Sequence, residues 1–167
     1  MQDFEMTIYI KADPLVVWEA IVGDEGSRAV MFGSVLRGEL EPGGRYEYVG
    51  PGEGDTEVVH VYGDVLQADP GVVLQLTEHP GPIYRENHAE LTSRMTWRLE
   101  GAGAGLTKLT FTNDEWSEGH PARDETAETW PRVLSSFKSW IETGEATLLP
   151  IGGRGATSAR RRSAGIA

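Results

Sequence analysis

The sequence contains no cysteine, and it has no apolar run of the roughly 18 residues that a membrane-spanning helix needs. The lack of cysteine excludes disulfide bonds and thiolate metal sites, and it fits a reducing compartment. The first ten residues, MQDFEMTIYI, lack the basic start and the apolar centre of a secretion signal. With 167 residues the chain has the length of one domain, and we expect a cytoplasmic location.

Acidic side chains are missing from one region only. All 26 Asp and Glu residues lie at or before Glu145, whereas four of the 15 basic residues, all of them arginines, follow it. Residues 1–145 therefore carry a net charge of −15, which opposes binding to nucleic acid or to an anionic membrane. Residues 146–167 form a basic segment rich in Gly, Ser and Ala, a composition typical of a disordered tail.

Periodicity predicts a strand, two short helices, several hairpins and a long helix. Residues 4–12 alternate apolar and polar side chains, as a half-buried strand does. Two short helices follow over 13–23 and 24–33, each beginning with an aspartate and ending with a glycine. Pro-Gly in EPGG and DPG favours type II turns, and GAGAG reads as a hairpin loop. The strand segments beside these three turns are 34–40, 45–50, 56–68, 72–78, 88–100 and 106–114.

The long helix is predicted over residues 124–143, a length of about 30 Å. Pro131 should bend this helix or begin its regular part. The large apolar side chains lie within about 120° of arc on a helical wheel. They are Trp130, Val133, Leu134, Phe137, Trp140 and Ile141.

Five segments resemble, in chain order, those of the family named after the activator of heat-shock-protein-90 ATPase, within the START-like (SRPBCC) superfamily. These segments are VVWEAIVGDE, LEPGGRYEY, GDVLQADPG, SRMTWRLEGAGAGLTKLTFTNDEW and WPRVLSSFKSWIETG. The resemblance covers residues 3–145. It implies an α+β helix-grip domain over residues 1–145, in which a curved antiparallel sheet of six to seven strands wraps around the long C-terminal helix. The two short helices follow the first strand.

The resemblance also implies a cavity between the sheet and the last helix, which relatives use to bind hydrophobic small molecules. We expect the helix face to be divided, with Phe137 and Ile141 anchoring the core and Trp130 and Leu134 covering the cavity. The predicted ligand-binding residues come from both walls and from the mouth. They are Phe32, Tyr46, Tyr48, His60, Tyr62, Leu74, Met95, Trp97, Phe111, Trp116, Trp130, Leu134 and Phe137.

In two strands the alternation alone does not show which side chains face the interior of the sheet. Tyr46 and Tyr48 are expected to face inward, because the opposite phase would bury charged residues. His60 and Tyr62 alternate with two valines, so either pair can face inward, and the valines are favoured. We place Phe32 and Trp116 near the cavity mouth.

The chemistry-bearing residues form no catalytic pattern. The four histidines lack metal-ligand spacing and no serine lies in a nucleophile elbow, so no metal, cofactor or catalytic set is predicted. We therefore predict a carrier, sensor or self-resistance protein for a hydrophobic small molecule. One alternative is a cyclase or dehydratase acting on a polyketide-like substrate, with His60, Tyr62 or Glu115 moving protons. The other is a module that binds a chaperone or another protein, although no feature indicates such a partner.

Overall fold

The computed structural model describes residues 3–147, so the predicted tail lies outside the described residues apart from Ala146 and Thr147. The described part contains seven strands and three helices. In chain order they are β1 (Phe4–Ile10), α1 (Pro14–Val22), α2 (Asp24–Val30), β2 (Val35–Gly38), β3 (Arg45–Pro51), β4 (Glu57–Asp69), β5 (Val73–Pro80), β6 (Ser93–Gly103), β7 (Leu106–Asp114) and α3 (Thr126–Thr143).

The strands form one antiparallel sheet in the order β1-β7-β6-β5-β4-β3-β2. Both Pro-Gly turns have the positive φ that a type II turn requires at its second central residue, 87° at Gly43 and 74° at Gly71. The helix-grip prediction is confirmed by this curved, open sheet and its long C-terminal helix. The largest boundary error lies at β6, which begins at Ser93, because residues 88–90 lie in a turn and residues 91–92 have no regular structure.

Alternation along the strands gives the sheet one apolar face. Trp97 of β6 lies directly opposite Phe111 of β7, and their rings meet edge to face with centroids 4.8 Å apart. Leu74 and Leu76 of β5 continue the same surface and are fully buried. The two inward tyrosines of β3 extend it, as predicted.

Helix α3 lies across this apolar face. It begins five residues before Pro131 and runs through it, so the proline lies inside the helix. The Trp130 ring packs on Phe111 with centroids 3.9 Å apart, and Phe137 meets Trp97 at 5.7 Å. Gly144, with φ of 80°, ends the helix in the left-handed conformation typical of a C-terminal cap. No helix within residues 3–147 is long and apolar enough to cross a membrane.

The predicted division of the α3 face agrees with the positions of Trp130 and Phe137 but is wrong for Leu134, and Ile141 packs against the core with only partial burial. Leu134 is completely buried in the core cluster, whereas Ile141 is only partly buried near the end of the helix. Val133, one residue before Leu134, faces the cavity together with Trp130. The helical wheel identified the buried face of α3 correctly. How deeply each residue of that face is buried depends on the curvature of the sheet on which α3 packs.

Candidate ligand-binding cavity

A cavity of about 210 Å³ lies between the concave face of the sheet and the N-terminal half of α3. Five strands contribute to its walls, and the segments after α2 and β7 border it. The lining residues are Met31, Phe32, Ser34, Tyr48, His60, Val61, Glu78, Met95, Asn113, Trp116, Ala122, Glu125, Thr126, Thr129, Trp130 and Val133.

The segment after α2 brings an aromatic side chain to the cavity edge. Phe32 is exposed over 40% of its surface and has a φ of 55°, which is sterically unfavourable for a bulky residue. On the other side, Trp116 donates its indole N–H to the Asn113 carbonyl at 3.3 Å and packs edge to face on His120. Backbone strain such as that at Phe32 persists only where the surrounding structure holds it, and such strain concentrates at functional sites.

A β-bulge brings His60 to the cavity. Tyr48 pairs with Val61 and the next residue of β3 pairs with Val59, so His60 is the additional residue between them. Its Nε2 lies 3.0 Å from the carbonyl oxygen of Pro51. Because a carbonyl oxygen only accepts, Nε2 carries the hydrogen of this bond.

The bulge also splits both residue pairs that strict alternation would keep together. Val61 faces inward with Tyr48, whereas Tyr62 pairs with Glu47 on the outer face. There the Tyr62 hydroxyl lies 2.6 Å from Nδ1 of His88, and its ring stacks on His79 with centroids 4.9 Å apart. The two alternatives were that His60 and Tyr62 face inward together or that the two valines do. Neither is right, since His60 reaches the cavity and Tyr62 does not.

Glu78 places a carboxyl group in the cavity wall. Its Oε2 is shielded from solvent, and no hydrogen-bond donor within residues 3–147 reaches that atom. Burial raises the pKa of Glu78 from 4.5 to about 7, because the charged form loses its hydration. Burial, and secondarily the charge of Glu78, also raises the pKa of the neighbouring Tyr48 hydroxyl. The carboxyl group is thus close to its protonation equilibrium at neutral pH.

Asn113 adds a fixed amide to the same wall. Its Nδ2 donates to the Arg94 carbonyl oxygen at 3.0 Å and to the Ser93 hydroxyl oxygen at 3.3 Å. The carbonyl partner determines which amide atom is the nitrogen, because that partner can only accept. Asn113 is fully buried, and both of its amide hydrogens are used within the protein.

Six of the thirteen predicted binding residues line the cavity. They are Phe32, Tyr48, His60, Met95, Trp116 and Trp130. Another six lie in the core behind the lining, namely Tyr46, Leu74, Trp97, Phe111, Leu134 and Phe137. Tyr46, for example, donates its hydroxyl hydrogen to the Thr77 carbonyl at 2.6 Å and is almost fully buried. Ligand contact at all thirteen positions stays a prediction.

Sequence reasoning missed Glu78 and Asn113, although a signal was present for both. In VLQLTEHP, Glu78 shares the inward phase of Leu74 and Leu76. Asn113 similarly continues the phase of Leu109 and Phe111. Both positions could have been noticed as polar residues that continue an apolar phase, although Ser93 and Thr107 share this pattern and do not line the cavity.

The proposed proton-transfer residues of the enzyme alternative are not brought together. Tyr62 lies on the outer face, and Glu115 forms an ion pair with Arg94 at 2.9 Å. Only His60 of the three lines the cavity. No cluster of His, Asp or Glu within the described residues has the arrangement of a metal site.

The sequence matches the family described as "Activator of Hsp90 ATPase homolog 1-like protein" over residues 11–142. No match is found among proteins of curated function. Among solved structures, the Aha1 dimer from Colwellia psychrerythraea is similar, with 19% identity, 87% of this chain and 100% of that chain covered, and a TM-score of 0.64.

Two further solved structures are similar at the same level. An HSP90 activator from Plasmodium falciparum is 14% identical, and the alignment covers 86% of this chain and 97% of the activator, with a TM-score of 0.63. DynU16, from the dynemicin biosynthetic locus, has 18% identity, with 90% of this chain but only 51% of DynU16 covered, and a TM-score of 0.64. At these identities the likeness establishes the fold alone.

Proposed function

The chain belongs to the activator of Hsp90 ATPase homolog 1-like family, and we propose that it binds a hydrophobic small molecule in the cavity between the sheet and α3. The observation that carries this proposal is the position of the cavity. It interrupts the apolar interface at the place where sheet and helix would otherwise pack side chain to side chain. Interiors are normally close-packed, so a cavity at this interface supports the proposal that the domain holds an occupant.

The lining favours a flat or aromatic occupant. Tyr48, Trp116 and Trp130 offer ring surfaces, while Met95 and Val133 supply aliphatic contacts. Aromatic walls stack well on planar ligands, and methionine adapts its shape to irregular ones. The biosynthetic locus named for DynU16 suggests a natural product as one source of such a ligand.

Binding can be tested with a panel of flat polycyclic and acyl-chain compounds. Trp116 and Trp130 line the cavity, so an occupant should shift or quench tryptophan emission and raise the melting temperature. In the variant Thr129→Phe a larger side chain enters the cavity wall and should abolish the response. Thr143→Phe is the matched control, because Thr143 is exposed at the far end of the same helix.

Two results would overturn the proposal. One is the absence of a response to every compound of the panel. The other is an equal response in the wild type and in Thr129→Phe. In either case the alternative of a protein-interaction module, which the names of the Colwellia and Plasmodium structures suggest, would gain support.

A further inference from the structure

We propose that the cavity selects hydrophobic amines, whose ammonium hydrogens are accepted by the carboxylate of Glu78. This inference rests on the proposed function, because it names the class of molecule that the same cavity takes. The observation behind it is the balance between the hydrogen-bond donors and the hydrogen-bond acceptors that the cavity wall offers to an occupant.

The donors of the wall are largely used within the protein. Ser34 donates its hydroxyl hydrogen to the Met31 carbonyl, and Thr126 donates to the Ala122 carbonyl at 3.0 Å. The Asn113 amide and the Trp116 indole each donate to backbone carbonyls as well. His60 uses its Nε2 hydrogen on the Pro51 carbonyl. Among the lining side chains only the hydroxyls of Tyr48 and Thr129 and the indole N–H of Trp130 donate no hydrogen bond within residues 3–147, so an occupant meets few free donors.

The acceptors show the opposite pattern. Glu78 Oε2 receives no hydrogen bond within the described residues, and the Asn113 amide has only its Oδ1 left. A buried acceptor without a donor is costly, and the cost is greater for a carboxylate. A ligand that brings its own donors removes this cost, whereas an acceptor-only ligand leaves it in place.

Charge favours an amine over a neutral donor. The cavity lining contains two carboxylates, Glu78 and Glu125, and neither lysine nor arginine. The rings of Tyr48, Trp116 and Trp130 also lie in the wall, and aromatic faces attract cations. A planar, apolar body with one ammonium group matches both the ring surfaces and the carboxylate.

The test uses a matched pair of probes, 2-(aminomethyl)naphthalene and 2-(methoxymethyl)naphthalene. The two share the same rings, but only the amine donates hydrogen bonds. Calorimetric titration at pH 8 should show the amine binding at least tenfold more tightly than the ether. Glu78→Gln should weaken amine binding at least tenfold and change ether binding less than twofold. The control Glu47→Gln removes an exposed carboxylate on the outer face of β3, and it should leave both affinities unchanged.

A second measurement needs no variant of Glu78. The amine binds the deprotonated carboxylate, so its affinity for the wild type should rise severalfold from pH 6 to pH 8, while the ether shows no such rise. The other titratable groups around Glu78 are Tyr46 and Tyr48 of β3, His60 of β4 and Glu125 before α3. His60→Gln should keep the rise, which separates the carboxyl group from the imidazole.

The outcomes distinguish two kinds of failure. Equal affinities for amine and ether, or equal losses in Glu78→Gln and Glu47→Gln, would overturn the amine inference and leave the hydrophobic cavity in place. A flat pH profile for the amine would also overturn it, even if Glu78→Gln failed to fold. If neither probe nor any compound of the wider panel binds, the proposed function fails, and the inference fails with it.

Discussion

The two halves of α3 border spaces of different kinds. Its N-terminal half covers the cavity, in which the Oε2 atom of Glu78 is shielded from solvent. Its C-terminal half, with Trp140 and Ile141, borders a larger groove of about 550 Å³ beside α1 and α2. The carboxylates of that groove, among them Glu19 and Asp24, are exposed to solvent and keep their hydration. The larger space therefore lacks the feature that distinguishes the smaller one, a carboxylate oxygen that has neither solvent contact nor a hydrogen-bond donor within the described residues.

The largest expected effect tests whether α3 contributes more to stability through its middle than through its end. Leu134→Ala should lower the free energy of unfolding by about 2–5 kcal/mol, because Leu134 is fully buried and its removal leaves a void. Ile141→Ala should cost less than half as much, since Ile141 is only partly buried. Urea unfolding of both variants measures the difference. An equal or reversed order would mean that the C-terminal half anchors the helix.

The second effect concerns the carboxyl group of Glu78, whose Oε2 atom is shielded from solvent. The pKa of Glu78 is raised from 4.5 to about 7 on folding, so the folded protein binds a proton more tightly than the unfolded chain. The contribution of Glu78 to the free energy of unfolding should therefore fall as the pH rises from about 4.5 to about 7 and stay lower above that range. Glu78→Gln does not titrate, and at pH 8 it should be more stable than the wild type by about 1–3 kcal/mol. Urea unfolding at pH 4 and pH 8 tests this, and a gain of the same size at both values would contradict it.

A smaller effect is expected at the cavity mouth. Asparagine tolerates the left-handed conformation of Phe32, whose φ is 55°, better than phenylalanine does. Phe32→Asn should therefore raise stability by about 0.5–1 kcal/mol, since strain is relieved and a side chain with 40% exposure loses little burial. The same variant should weaken binding of the naphthalene probes. A loss of stability would show that the Phe32 ring packs more tightly than its exposure indicates.

The smallest effect lies at the C-terminal half of α3. The Lys138 side chain and the Lys11 backbone N–H both donate to Glu142, and they lower the pKa of its carboxyl group. Glu142→Gln should lower the free energy of unfolding by about 0.3–1 kcal/mol at pH 7. This contribution is present above the ordinary pKa of a glutamate and is lost as the pH falls through the lowered one. High salt should reduce it, and a loss that salt leaves unchanged would contradict an ionic origin.

Most of the fold was predictable from the sequence because it depends on local rules. Alternation placed the strands, Pro-Gly placed two turns, and the wheel placed the buried face of α3. The error at Leu134 and the shallower burial of Ile141 arose from tertiary geometry, because a helical wheel shows which face is buried but not how closely the sheet packs along it. The start of β6 was misplaced because alternation continues through residues 88–92, which lie in a turn and in an irregular segment before the strand.

The site was less predictable than the fold. Tyr48, Met95 and Trp130 were found because they are large and lie in the apolar phase. Glu78 was overlooked because only the apolar residues of β5 were considered as inward-facing, although Glu78 alternates in step with Leu74 and Leu76. His60 was uncertain because a β-bulge breaks the period of two on which every assignment of strand faces depends. Such a bulge follows from the pairing of two strands and has no signature within one of them.

The bulge at His60 makes the chemistry of the cavity wall depend on chain length as well as on residue identity. A one-residue insertion inside a strand normally turns every later side chain to the opposite face. Here Val59 and Val61 already pair with adjacent residues of β3, so loss of the single codon for His60 would leave an unbroken ladder in the same phase. In evolutionary terms, the domain can gain or discard an imidazole in one mutational step without changing the register between β3 and β4, at the cost of the bond from the Gly81 N–H to the His60 carbonyl.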